Sequence, residues 1–327
     1  MFNGHSLSVV VPAYNEEAHV GEVIDTLPDC VDRAYVVDDC STDDTWSVIQ
    51  SHVPARERSR SRARADGGEA AQTVVPIRHE RNRGVGGAIK TGYLAAIRDG
   101  TDIVAVMGGD GQMDPDLLPD IVAPVADGRA AYAKGNRLCS SSDRSSMPTF
   151  RQAGNRMLSA LTRLASGYWG IGDPQNGYTA ASTAALERSG VDEMYEFYGY
   201  CNDLLVKLNV ADCRVADVPM PAEYGDETSH IDLRTYVPRV SGMLARNFFW
   251  RLRRYASDVS PAIPAGYLGG IALSVPSLAG VLFALLAGNS GLLALSSVVL
   301  LVATVALVAG VALDRRHNDE LAIVADN

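Results

Sequence analysis

From Val259 to Leu313 the chain has no Asp, Glu, Lys or Arg, a run of about 55 residues, and nothing else in it restricts the fold so strongly. Gly288-Asn289-Ser290-Gly291 divides the run, and each half is long enough to supply the roughly 20 apolar helical residues that cross a bilayer. Arg246, Arg251, Arg253 and Arg254 precede the pair, Arg315 and Arg316 follow it, and the short connection has no basic residue. Basic flanks at both ends of a hairpin place those ends in the cytoplasm. The expectation is a two-span membrane hairpin, and the competing reading is a buried helix pair of a soluble domain. At the amino terminus, Leu7–Val11 is too short for a signal-peptide core and has no basic lead, so no secretory signal is expected.

The residues before the hairpin read as α/β. Leu7–Val11, Ala34–Val37 and Thr73–Ile77 are short apolar runs, with helical spacing at Val20, Val23, Ile24 and Leu27 between the first two. Strand, helix, strand, helix at this spacing predicts βαβ units and a parallel sheet. Ser41 or Thr42 would cap the helix after strand two. Val104–Met107 reads as a buried strand that stops at Gly108-Gly109-Asp110-Gly111-Gln112, with Pro115 suited to a following first turn. Asp110 is thus expected just past the carboxyl end of a strand, where open α/β sheets bind ligands. It could hold a divalent cation with Gln112, or merely cap the next helix. Further on, Ala130–Ala133 and Cys213–Val218 read as strands, Arg151–Ala165 as an amphipathic helix, and Asn202-Asp203 as the opening of another. Tyr236–Tyr255, with Phe248-Phe249-Trp250 between arginines, reads as an interfacial helix leading into the membrane.

Two stretches break this rhythm. Residues 51–72 carry alternating arginines from Arg56 to Arg64, expected as a solvated, mobile insertion, with anionic-lipid contact as the alternative. Arg81–Gly92 places Gly84, Gly86 and Gly87 at a helix start ahead of Lys90. Bare backbone and a positive helix end suit an anion, which makes Gly84 and Lys90 donor-binding candidates. This stretch is neither a Walker A loop nor a dinucleotide fingerprint, since the Gly-Lys-Ser/Thr order is absent and it follows the third strand.

Composition closes off other classes. The net charge is −10, and Lys occurs only at Lys90, Lys134 and Lys207, so no basic face dominates and the balance argues against nucleic acid as a partner. The acidic, Lys-poor balance is of the kind found in salt-loving archaea, with GC-rich coding as a second contributor. Five cysteines show no metal spacing and suit a reducing compartment.

Pro12-Ala13-Tyr14-Asn15-Glu16, Asp38-Asp39 with Ser41 and Asp43, and Asp110-Gly111-Gln112 together resemble the family-two inverting glycosyltransferases of GT-A fold. Lys134–Arg137, Arg151, Asp173–Gly177 and Asn202-Asp203 extend the resemblance over roughly residues 5–230, most like the polyprenyl-phosphate (dolichyl-phosphate) hexose synthases. The resemblance implies a Rossmann-like, mostly parallel GT-A domain over 1–233, a juxtamembrane segment over 234–258, the two spans within 259–313 and a cytoplasmic tail over 314–327. It gives Pro12, Tyr14 and Glu16 to the base and ribose, with Asp38 and Asp39 on the nucleobase side. Asp110 and Gln112 would hold Mg2+ or Mn2+ on the donor diphosphate. Arg137 and Arg151 would grip the acceptor phosphate, with Gln175 and Asn176 near acceptor or sugar. Asp203 falls where the family has a sugar-contacting or catalytic carboxylate. Structural alternatives stay open: a turn-forming Asp38, surface ion pairs at the arginines and a helix-terminal Asp203. The partial loop pattern Glu223–His230 is a candidate lid.

The family usually has Asp-x-Asp where this chain has Gly108-Gly109-Asp110, which shifts the expected ligation to Gln112, Asp114 and water. The implied activity is inverting transfer of a hexose to dolichyl or polyprenyl phosphate at the cytoplasmic membrane face. Such transfer would serve protein N-glycosylation or cell-surface glycan assembly. UDP-glucose is the favoured donor and GDP-mannose the alternative. Two other readings compete: extension of a glycan at a hydroxyl acceptor, and a catalytically weakened, membrane-tethered nucleotide-sugar-binding module.

Overall fold

The structure, a computed structural model, describes residues 1–53, 72–137, 149–221 and 233–325, and the side chains of 149–155 and 233–235 are outside that description. The arginine-rich stretch after residue 53 and the Glu223–His230 pattern lie outside the described residues. Strands β1 (Leu7–Ala13), β2 (Arg33–Asp38), β3 (Thr73–Arg78) and β4 (Ile103–Val106) form in the expected places, and β5 (Tyr132–Asn136) starts two residues later than the apolar run beginning at Ala130. β6 (Thr179–Ser182), β7 (Val215–Pro219) and β8 (Ala322–Val324) complete one sheet of order β3-β2-β1-β4-β6-β5-β7-β8. All neighbours are parallel except β6, which runs antiparallel to β4 and β5.

The strands read as apolar runs because helices cover both faces. Leu7, Val9, Val11 and Ala13 of β1 pack with α1 (Val20–Thr26), α2 (residues 45–53) and α4 (Leu118–Ala126). Val10 faces the other way, onto α3 (Val85–Arg98) and α7 (Tyr200–Val210). Gly92 lets α3 sit down on the sheet, since a Cβ there would lie 2.3 Å from Val10 Cγ1. The cap of α2 falls later than Ser41 or Thr42: Ser41 Oγ accepts from Asn15 N, and Asp43 Oδ1 accepts from Thr45 N at 3.0 Å. α5 (Thr149–Ser166) and α6 (Thr183–Ser189) flank the sheet.

α8 (Leu233–Asp258) leads to α9 (Ala262–Ala287) and α10 (Ser290–His317), two helices long and apolar enough to cross a membrane. Their outer faces stay bare, with Leu282, Phe283, Leu286 and Leu301 all above 60% exposed, unlike the core helices of a soluble domain. The contact between them is made of small residues: a Cβ on Gly266 would lie 2.7 Å from Gly310 Cα, and one on Gly280 would meet Ser296 Oγ at 2.4 Å. Small residues at such crossings let two backbones approach in a lipid-like setting, where packing drives helix association.

The expected tail over 314–327 is described as far as residue 325. Residues 314–317 continue α10, and β8 returns to the sheet, pairing Val215 with Ala322 and Asp217 with Val324. Three residues are too few for a periodic strand signal. Between hairpin and strand lies a buried polar node. Arg251 Nη1 and Nη2 donate to the two carboxylate oxygens of Asp314 at 2.8 and 2.9 Å. Arg251 Nη2 also reaches Leu164 O, Tyr267 Oη donates to Asp314 Oδ2, and Asn318 Nδ2 donates to Asp314 Oδ1. Asn209 and Tyr255 close the network through Asn318 Oδ1 at 2.7 and 3.0 Å.

Removing one partner of a fully buried pair leaves an uncompensated charge and costs about 3–5 kcal/mol. Arg251→Met or Asp314→Leu should therefore lower the melting temperature of detergent-solubilised protein steeply, while the double variant recovers most of the loss. Equal losses in single and double variants would show that the pair itself is not the tie.

Candidate active site

The carboxyl edge of the sheet gathers the ends of β4, β5 and β7 and the start of antiparallel β6. Asp110, Arg137, Asn176, Tyr178, Met220 and Pro221 come from the loops at these four strand ends and, with Gln112, Met113, Asp114 and Leu117, line an open cleft. Ligands of open α/β sheets bind at such a strand edge.

Asp110 closes a short turn, its Oδ1 accepting from Gln112 N at 3.1 Å. The residue that caps the next turn is Asp114, whose carboxylate accepts from Asp116 N at 2.9 Å. The capping role that competes for Asp110 in the sequence is thus filled by a neighbour. A Cβ on Gly108 would lie 2.7 Å from Asp110 Oδ1, so the carboxylate folds back over bare backbone. Asp110, Gln112 and Asp114 present oxygen donors to one cleft, a set that fits a hard divalent cation completed by water and diphosphate oxygens. Among the described residues no group of three or more His, Cys, Asp or Glu could hold an ion alone.

Arg137 enters the same cleft, its Nε donating to Asp173 Oδ2 at 2.9 Å, so the Asp173–Gly177 turn orients the guanidinium. Asn176 is buried in that turn, with Oδ1 accepting from Tyr178 N and Nδ2 3.2 Å from Met220 Sδ, and Gln175 beside it is half-buried. Tyr178 Oη donates to Asp114 O at 2.9 Å, and burial pushes its phenol well up, which keeps it a donor. The other polar members of the β5 motif turn inward: Lys134 Nζ pairs with Asp217 at 3.2 Å, and Asn136 donates to its Oδ2. Arg151 lies in the first turn of α5, and its side chain falls outside the described residues.

Along the sheet, Pro12 O accepts from Gly109 N at 3.0 Å, which joins the β1 end to the Asp110 loop. Tyr14 is 45% exposed, and Glu16 is half-buried with its N–H on Thr45 Oγ1. Asp38 is fully buried; its Oδ1 accepts from Ser41 N, and Arg78 Nε lies 3.0 Å from Oδ2, out of line for a hydrogen bond. Asp39 is 2% exposed. Its Oδ1 takes His79 Nδ1 at 2.6 Å and Arg83 N at 2.8 Å, and its Oδ2 takes Gly84 N at 2.7 Å. Asp39 therefore holds the loop that starts α3.

The glycines of that loop have a protein neighbour. A Cβ on Gly84 would lie 2.8 Å from Glu196 O, and one on Gly86 would lie 2.5 Å from Tyr195 O. Lys90 is buried against the same segment, pairing with Glu196 at 2.6 Å and donating to Asp192 O and Met194 O. The close approach read from the sequence is real, but the structure gives it to residues 195–197, and neither Gly84 nor Lys90 lines the cleft. Asp203 is likewise outside the cleft. It is 2% exposed, accepting from Tyr195 N at 2.9 Å and Asn247 Nδ2 at 2.6 Å, so it ties the same segment to α7 and α8. His79, Glu196, Asp217 and Asn247 carry no sequence motif; their roles come from pairings far apart in the chain.

This arrangement of a parallel β3-β2-β1-β4 half, an antiparallel β6 and a strand-edge cleft is the GT-A fold of nucleotide-sugar transferases. The chain belongs to glycosyl transferase family 2, whose sequence pattern matches residues 8–190, and it is a glycosyltransferase. A UDP-N-acetylglucosamine–dolichyl-phosphate N-acetylglucosaminyltransferase of Methanococcus voltae is 30% identical over 217 residues, covering 66% of this chain and 85% of its own. An uncharacterized protein of Methanocaldococcus jannaschii is 29% identical over 223 residues, covering 68% and 83%. The crystal structure of Mycobacterium tuberculosis glucosyl-3-phosphoglycerate synthase shares the fold, with a TM-score of 0.50, 24% identity, and 76% and 81% covered.

The hydrogen bond from Arg83, with a second from Lys90, holds the Glu196 carboxyl down to about 2. Its folded value lies below the unfolded one, so its stabilisation is full above about pH 4.5 and fades as pH falls towards about 2. The size is on the order of 1–2 kcal/mol for a pair one-third exposed and screened by solvent. Melting temperatures taken across that window should fall less steeply in Glu196→Gln than in the parent chain. Parallel slopes would remove Glu196 from the acid response.

Proposed function

We propose that the protein transfers a hexose from a uridine-diphosphate sugar to dolichyl or polyprenyl phosphate at the cytoplasmic membrane face, with inversion at the anomeric carbon. The observation that carries this reading is the return of the chain from the hairpin into the catalytic sheet at β8. A strand of the sheet on each side of the hairpin requires both hairpin ends to lie on the catalytic side of any bilayer it crosses. A cleft so tethered suits an acceptor that is itself held in the membrane. The Methanococcus voltae relative, named for UDP-N-acetylglucosamine and dolichyl phosphate, supports the same class and makes N-acetylglucosamine the first donor to try, ahead of the glucose favoured from sequence.

A lipid monophosphate is already anionic at neutral pH, so its oxygen can attack without a general base. One phosphate oxygen bonds to the anomeric carbon while the bond from that carbon to the diphosphate oxygen breaks on the opposite side. The electron pair leaves with the nucleoside diphosphate. Arg137, oriented by Asp173, would set the acceptor phosphate in line, a task suited to a planar fork of donors. Arg151 is proposed as its companion. Mg2+ or Mn2+, held by Asp110 and Gln112 with Asp114 nearby, would neutralise charge on the departing diphosphate. Pro12, Tyr14 and Glu16 would shape the base and ribose site, with Asp39 fixing the loop beside it. Asp203 is assigned a positioning role, through the Tyr195 segment it holds, with no proton to remove.

Incubating membranes with a panel of labelled nucleotide sugars, polyprenyl phosphate and Mn2+ tests this reading. Product labile to mild acid is expected; acid-stable glycan would indicate a hydroxyl acceptor, and no product with any donor would favour a binding module. Asp110→Asn should lower turnover by roughly 100-fold or more, in line with the several kcal/mol a bound cation supplies. Asp203→Asn, which can still accept from Tyr195 N, should stay within about tenfold, since general-base removal costs typically 10²–10⁴-fold. A loss of that larger size with normal donor binding would make Asp203 the base.

A further inference from the structure

The outer face of α8 takes no part in the cleft, and its chemistry is one-sided. Arg239, Arg246 and Arg253 recur every seventh residue and are all exposed. That spacing sets them in one line along the helix, about 21 Å long. Phe249 and Trp250 lie between the last two arginines, 50% and 38% exposed, and Lys207 of α7 brings its Nζ to 5.6 Å from the Trp250 ring. From residue 233 to 257 the helix contains no Asp or Glu, and its first carboxylate, Asp258, sits 3.6 Å from Arg254. In a chain of net charge −10 this is an isolated basic, aromatic stripe.

The stripe is continuous with the hairpin. Residues 259–261 alone separate α8 from α9, and Tyr267 of α9 packs edge-on against Phe248, ring centres 5.1 Å apart. The carboxyl-terminal half of α8 therefore lies where the apolar helices leave the domain. Amphipathic aromatic rings settle at headgroup depth. Arginine forks match phosphate oxygens, and an anionic leaflet attracts basic side chains within a screening length.

We infer that the outer face of α8 is a docking surface for the anionic phospholipid headgroups of the bilayer that the hairpin crosses. Phe249 and Trp250 lie in the interfacial layer, and Arg239, Arg246 and Arg253 rest on lipid phosphates. The contact fixes the rotation of an otherwise acidic domain on the membrane. It rests on the reading of α9 and α10 as spans, and it is independent of donor and acceptor chemistry.

The test uses the full chain reconstituted in vesicles of brominated phosphatidylcholine, with or without about one-third phosphatidylglycerol. Trp250 quenching is taken as the difference between the chain and its Trp250→Phe variant. Quenching should rise on the order of twofold with the anionic lipid. It should fall again between about 0.1 M and about 1 M salt, as the screening length drops from ~10 Å to ~3 Å. The triple variant Arg239→Gln/Arg246→Gln/Arg253→Gln should lose the lipid response. Equal quenching in neutral and anionic vesicles, or a triple variant that still responds, would overturn the docking surface. So would a response seen only on adding polyprenyl phosphate, which would give the stripe to the substrate. Extraction of the chain from vesicles by alkaline washing would instead overturn the hairpin reading beneath it.

Discussion

The bidentate contact between Arg251 and Asp314 joins α8 to the end of α10, at the point where the hairpin meets the domain. Both side chains are 0% exposed. Burying two charges costs several kcal/mol per ion unless the geometry and the surrounding hydrogen bonds compensate. Here Leu164 O, Tyr267, Asn318 and the Tyr255 ring surround the pair, and Gly167 makes room, since a Cβ there would lie 2.5 Å from Arg251 Nη1. The participants come from α5, α8, α9, α10 and the segment after it. The pair thus ties the placement of the hairpin to that of the domain helices. β8 then forms because residue 318 is already pinned beside α7 through Asn209.

A second buried carboxylate does comparable work beside the cleft. Asp39 gathers His79, Arg83 N and Gly84 N, and the loop it holds packs on residues 195–197, which Asp203 anchors from the other side. Glu196 binds Arg83 and Lys90 across the same junction. The wall next to the β1 end is thus built from charged groups that satisfy one another, and among the described residues Asp110, Asp114 and Arg137 are the charges that line the cleft itself.

The fold was legible in sequence where burial imposes a pattern. β1 to β4 are apolar runs at βαβ spacing, and α9 and α10 are unmistakable because no charge interrupts them before Asp314. β8 was not legible: three residues carry no period, and the strand exists only because the hairpin returns them to β7. The site divides in the same way. Asp110 and Arg137 were placed by motif and reached the cleft. Gly84 and Gly86 pack on residues 195–197, and bare backbone in a sequence shows that something approaches closely and cannot say what. Asp203 and Asp39 show the general difficulty, since a carboxylate that holds a loop and one that holds a ligand have the same one-dimensional context.

The missing first carboxylate at Gly108 then has a local meaning. In a turn where Gly111 takes a φ of +73°, the Asp110 carboxylate lies back towards residue 108, and a Cβ there would crowd its Oδ1 at 2.7 Å. The two positions are therefore coupled: a side chain at 108 and this conformation of Asp110 exclude each other unless the carboxylate turns away. In the proposed cation site, ligation would have to draw on residues after the turn. Gln112 and Asp114 are the oxygen donors that the turn supplies to the same cleft. Asp114 already accepts from Asp116 N, which steadies its carboxylate, while Tyr178 fixes its backbone carbonyl. With fewer charges in the set, such a site depends more on the oxygens the ligand brings, and a nucleotide-sugar diphosphate brings several.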